Sequence, residues 1–242
     1  MNCAVSLALH GGVSQRGLSV GKITHVCFES RMPGESRMPG MSRGEMPIMT
    51  NVDETAEHQD EATLNELIAT LSGRDRKARQ VAAHSIALLA KEAPEAVVAY
   101  TDDIVAAVDR PEALTRWEAL DALTSLVSAD PEAAAKGFEG AENALYDEES
   151  GLVRFNAFRY LTVLGSSSQE WSVKTWPLID EAIQCYHGDP EFNDMLDVLT
   201  DFARSDLDNG VRKALADRLR FDANNTRGPL AVRARHIIEI LE

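Results

Sequence analysis

Four side chains that could ligate a metal fall between positions 185 and 194: Cys185, His187, Asp189 and Asp194. A thiolate, an imidazole and carboxylates suit zinc, but a structural site asks for a second Cys/His pair at a defined spacing, and none follows. The intervening Gly188-Asp189-Pro190 reads instead as a turn between helices, with glycine for backbone freedom and proline as a stop. The chain carries neither a G-x-G-x-x-G nor a Walker-type phosphate loop. Carboxylates are abundant, but a catalytic pair is defined by a shared pocket rather than by abundance. We therefore assign no catalytic residue, no metal and no cofactor, and expect a non-enzymatic protein.

The elements that would position any site read as helical. Apolar residues make up 44% of the 242 and aromatics only 6%. With alanine frequent in the middle, that mixture suits close helix–helix packing better than a sheet. The net charge is −15 and the isoelectric point about 4.8. A nucleic-acid binder needs cations to displace counterions from phosphate, so this balance argues against nucleic acid and against an anionic membrane surface. No apolar run reaches the roughly 18 residues of a membrane helix. The N-terminus lacks a basic-then-apolar leader. Cys3, Cys27 and Cys185 suggest no disulfide framework, and a reducing cytoplasm is the expected location.

Residues 1–55 are a different material, rich in Gly, Ser, Met and Pro, with ESRMPG occurring twice in succession up to Gly40. Their charges cancel, and they lack the periodicity needed to bury a face, so they are expected to be disordered. Met49 opens an ordinary acidic leader, MTNVDETAEHQDEA, which makes Met49 a possible native start and 1–48 an over-extended reading frame.

From 56 to 242 the dominant signal is a repeat. Residues 78–96 align with 115–133 at an offset of 37, and 153–170 follow at a further 38. Arg79, Arg116 and Arg154 open the copies. Ala82, Ala119 and Ala157 follow three residues on, then Leu or Ile at +7 and +10. At 100° per residue those positions share one helical face, with alanine where backbones approach. A second amphipathic stretch precedes each, and Pro94 and Pro131 sit where a first helical turn tolerates a missing N–H. The unit is a helix–turn–helix, expected at about 61–93, 94–130, 131–168, 169–205 and 206–242. In the fourth unit Val173, Trp176, Ile179 and Ile183 supply the first helix, and Phe192 replaces the arginine.

This pattern of Asp75…Arg79-x-x-Ala82, Arg116-x-x-Ala119 and Val153-Arg154-x-x-Ala157 resembles the HEAT-repeat and armadillo-type families. The resemblance implies an all-α superhelix of about five helical hairpins. It also implies a structural role for Arg79, Arg116 and Arg154, each pairing with an acid of a turn or neighbouring repeat. It implies most often a scaffold whose second helices line a concave surface. HEAT-like DNA-repair glycosylases and HEAT-like subunits that assist cofactor attachment are the alternatives within the same architecture.

With Ala119, Ala122, Leu123 and Leu126 buried, Trp117, Asp121, Thr124 and Ser128 point the other way. The equivalents are Gln80, His84 and Ala87 in the first copy and Phe155, Arg159 and Thr162 in the third. Aromatic rings beside Arg and Asp are what a protein-binding surface displays, so Trp117, Asp121, Phe155, Arg159 and His84 are the expected contact residues. The partner is expected to be a basic or apolar protein segment. Residues 92–203 hold 6 basic and 23 acidic residues, whereas 204–242 hold 8 and 6. Partner identity and oligomeric state are not legible in the sequence.

Overall fold

Helix starts are set by side chains that bond back to free backbone N–H groups. The computed structural model describes residues 63–242, so the expectations about 1–55, the Met49 start, Cys3 and Cys27 lie outside the described residues. Asp75 caps α2 (Arg76–Glu92) through the N–H groups of Lys77 and Ala78 at 2.8 and 3.1 Å. Ser150 caps α8 (Gly151–Gly165), Ser168 caps α9 (Gln169–Cys185) and Asp208 caps α11 (Asn209–Asn225). Gly228, at φ 75°, turns the chain into Pro229 and α12 (Pro229–Leu241).

The remaining elements are α1 (63–71), α3 (Pro94–Val97), α4 (Thr101–Val108), α5 (Ala113–Leu126), α6 (Pro131–Ala134), α7 (Phe138–Leu145) and α10 (Phe192–Arg204). Among the described residues there is no strand. The first helix of the second and third units is broken by a 3₁₀ turn, at Val98–Tyr100 and at Ala135–Gly137, in the same repeat register. Gly137 is required there. A Cβ on it would lie 2.7 Å from Leu123 Cδ1 and 3.2 Å from the Tyr160 hydroxyl, and that hydroxyl donates to the Ala134 carbonyl at 2.6 Å.

Two layers result. The inner layer is α2–α5–α8–α10–α12, each packed on the next, and α4, α7, α9 and α11 cover it. The core is the predicted stripe: Ala82, Ile86, Ala119, Leu123, Leu126, Ala157, Leu161 and Leu164 are all buried. Leu89 is half-buried, because among the described residues α2 has an inner neighbour on one side only.

The fourth unit departs from expectation. Val173 is exposed and Trp176 half-buried; the buried stripe of α9 is Ser172, Thr175, Ile179, Ala182 and Ile183. Small residues win that side because α9 lies close against α8. A Cβ on Gly165 would sit 2.3 Å from Thr175 Oγ1 and 3.1 Å from the Phe202 ring.

Candidate functional site

One edge of the inner layer is an arginine ladder. Arg79, buried at the start of α2, forks onto both carboxylate oxygens of Glu112 in the next unit and donates to the Gly73 carbonyl at 2.6 Å. The guanidinium holds the Glu112 carboxyl below its ordinary value, against the opposing pull of burial. Arg116 donates to Asp147 Oδ2 at 2.5 Å. Arg154 donates to the Asp147 carbonyl at 2.9 Å and to Glu191 Oε1 at 3.4 Å, with the Tyr186 ring 5.2 Å away. Each rung joins consecutive units, which is a positioning task rather than a chemical one.

The open side of each inner helix is the stripe opposite its buried positions. On α2 it is Lys77, Val81, His84 and Leu88; on α5, Leu114, Trp117 and Ser125, with Asp121 buried in the same register. On α8 it is Leu152, Phe155, Arg159 and Val163. A charged rung crosses all three helices. Asp121 accepts from Arg159 at 2.6 Å and meets Lys91 at 2.5 Å, while Glu118 meets His84 Nδ1 at 2.8 Å. Both carboxylates are buried; His84, Lys91 and Arg159 remain partly exposed above them.

Grooves run between neighbouring inner helices. One of about 510 Å³ lies between the C-terminal halves of α5 and α8, lined by Thr124, Ser125, Ser128, Arg159 and Val163 among others. Its hydroxyls at Thr124, Ser125, Ser128, Ser166 and Ser167 donate to carbonyls of their own helices, so none is an orphaned donor asking for a ligand. A second, of about 400 Å³, lies between α10 and α12 beside the Arg233–Asp197 pair.

No protein-family model and no curated protein matches this sequence. Solved structures do. A designed armadillo repeat protein in complex with the peptide (KR)4 superposes with a TM-score of 0.65 at 14% identity, covering 78% of this chain and 86% of that one. A computationally designed armadillo repeat protein for modular peptide recognition gives 0.61 at 14%, over 78% and 87%. The armadillo-repeats-only protein of Plasmodium falciparum gives 0.51 at 13%, over 81% and 100%. The fold is the armadillo/HEAT-like helical repeat.

Within this armadillo/HEAT-like solenoid the expected contact residues are placed unequally. Trp117 and Phe155 occupy the same register of α5 and α8, but each is half-buried against the core rather than projecting freely. Asp121, Thr124 and Thr162, read as facing out, are buried, as is Ala87. For the three on α5 and α8 the reason is the same: each of those helices touches neighbours on two sides as well as its own outer helix, so only a narrow stripe stays open. His84 is exposed and Arg159 half-buried. Sequence reasoning missed Leu114 and Leu152, one turn before the two aromatics, and Val81 and Leu88 on α2. Their signal was present as apolar residues off the buried stripe.

The acidic middle also resolves. Glu95, Asp102, Asp103, Glu132, Glu139 and Glu142 belong to the outer helices, and Asp109, Glu148 and Glu149 to the hairpin turns. The residues of the 185–194 cluster separate. His187 Nε2 meets Asp222 at 2.7 Å and its ring lies against Phe192, Asp189 approaches Arg154 at 3.8 Å, and Asp194 is exposed on α10. Among the described residues no group of three or more His, Cys, Asp or Glu converges as metal ligands, and no helix is long and apolar enough to cross a membrane. A G-x-S-x-G spacing does occur at Gly40-Met41-Ser42-Arg43-Gly44, outside the described residues. Proline stands close on both sides of it, at Pro39 and Pro47, and the run before it is not the continuous apolar one that such a motif follows.

Proposed function

We propose that this chain is a non-enzymatic adaptor whose inner face, from α2 to α8, binds an apolar or amphipathic segment of another protein. One observation carries the reading. Of the large apolar side chains exposed among the described residues, Val81, Leu88, Leu114, Leu152 and Val232 stand on inner helices; Tyr146, Val173 and Phe221 do not. Exposed apolar residues on a monomer are ordinarily scattered, and their concentration on one face marks a contact surface. Trp117 and Phe155 lie one turn from Leu114 and Leu152, as rigid half-buried rings of the kind that anchor interfaces. The designed armadillo protein that carries (KR)4 supports the reading, since its fold accommodates a peptide.

The test uses the full chain as bait in a lysate of the source cells, beside a Leu114→Asp/Leu152→Asp variant of equal helicity, with cross-linking to map the contact. A protein captured by the first, lost by the second and cross-linked to α5 or α8 is the expected result. A partner retained by the variant, or cross-linked to the outer helices, overturns the reading.

A further inference from the structure

The chain as a whole is acidic, but the surface that a ligand of the inner face meets is not. Helices α2, α5 and α8 carry seven Lys or Arg against three acids, Glu92, Glu118 and Asp121. Arg79, Arg116 and Arg154 are turned to the ladder at the edge. Of the acids, Glu118 and Asp121 are only 4% and 5% exposed and lie beneath their partners, whereas His84, Lys91 and Arg159 are 59%, 47% and 37% exposed. Lys77 is exposed in the same register as Leu114 and Leu152, so the apolar row of α5 and α8 continues onto a cation at α2. Glu92, in the last turn of α2, is the one exposed acid on these three helices.

We infer, on the strength of the inner-face binding proposed above, that the bound segment carries acidic side chains among its apolar ones. Leu114, Trp117, Leu152 and Phe155 take the apolar groups. Lys77, Lys91, Arg159 and His84 take the carboxylates. The outer acids do not cancel this preference. They lie a helix layer away, roughly 10 Å between axes plus side-chain length, and at about 0.15 M salt the screening length is about 8 Å. Local cations therefore govern the short-range fit, while the net charge slows the approach of an acidic partner. Salt screens both that repulsion and the partly exposed local pairs, so the peptides are compared at one ionic strength.

The experiment uses the full chain and labelled peptides of about ten residues, long enough to cross three helices at 8–10 Å per helix and about 3.3 Å per residue. All share one Leu/Phe pattern and differ in having Glu, Lys or Ser between. The expected order of affinity at about 0.15 M salt is Glu, then Ser, then Lys, with about tenfold between the extremes from several partly exposed ion pairs. Lys77→Glu narrows that gap, and Leu114→Asp abolishes binding of all three. Tightest binding by the Lys peptide overturns the inference. Equal binding of all three, still lost in Leu114→Asp, overturns it while leaving the inner-face reading intact. Absence of binding by any peptide overturns both. A single-stranded oligonucleotide that binds more tightly than the Glu peptide and displaces it assigns the face to nucleic acid and overturns both.

Discussion

The carboxylate of Asp121 on α5 lies 2.6 Å from Nη1 of Arg159 on α8 and 2.5 Å from Nζ of Lys91 on α2, so one buried acid ties three consecutive inner helices. The two cations are each more than a third exposed, and they can return to water when the acid is removed. Asp121→Asn is therefore expected to cost about 1–2 kcal/mol, below the 3–5 kcal/mol of breaking a fully buried pair. Urea unfolding of Asp121→Asn, Arg159→Met and the double variant measures it. A coupling energy near zero would show that the rung contributes nothing to stacking.

Arg79 and Glu112 behave differently, because both are buried. Glu112→Gln leaves the Arg79 charge without its counter-ion and is expected to destabilise by about 3 kcal/mol near neutral pH. The folded-state carboxyl is held below its usual value of 4.5. Its contribution is therefore complete above that value and is lost as pH falls through the lower, folded one. The wild type should show a steeper acid limb of stability than Glu112→Gln, and matching limbs would remove Glu112 from the account.

Gly165 and Gly188 form an internal contrast. Alanine at 165 must push into Thr175 and Phe202, which are buried, at an expected cost of about 1–3 kcal/mol. A Cβ at Gly188 meets nothing within 4 Å, so Gly188→Ala should stay within about 0.5 kcal/mol of the wild type. Thermal unfolding separates the two.

Tyr160 is fully buried and donates to the Ala134 carbonyl at the broken start of the third unit. Burial raises its phenol well above the ordinary range, so the donor is retained across neutral and mildly alkaline pH. Tyr160→Phe keeps the ring and removes the side-chain donor to that carbonyl, at about 1 kcal/mol. Loss of stability without loss of helicity is the expected outcome by circular dichroism.

The surface pair separates binding from folding. Leu114 and Leu152 are 38% and 59% exposed, so Leu114→Asp/Leu152→Asp should leave stability within roughly 0.5 kcal/mol per site while abolishing capture of the partner. A matching loss of stability would mean that these side chains are core.

Much of the architecture was legible because the repeat is periodic. The 37-residue offset aligned Arg79 with Arg116 and Ala82 with Ala119, and the structure places both pairs in equivalent rungs and stripes. The caps Asp75 and Ser150 and the prolines Pro94 and Pro131 mark helix starts by local chemistry alone. The fourth unit was less legible. In α9 the strongest apolar signal fails to mark the packed side: Val173 faces outward and Trp176 is only half-buried, while Ser172 and Thr175 pack against α8.

The sequence by itself determined the repeat register, the order of helices and the stripe on each that must be buried, because these follow from a 3.6-residue period and from capping residues near in sequence. Only the tertiary structure decided what remains open. A helical period defines one buried face, but α5 and α8 are enclosed on three sides. Asp121 and Thr162 therefore disappear beneath their neighbours, Trp117 and Phe155 settle half-buried, and most of the exposed acids of the middle units stand on the outer helices and hairpin turns. Contacts between residues some 35 positions apart set that outcome, and no local pattern encodes which side of a helix its neighbours will take.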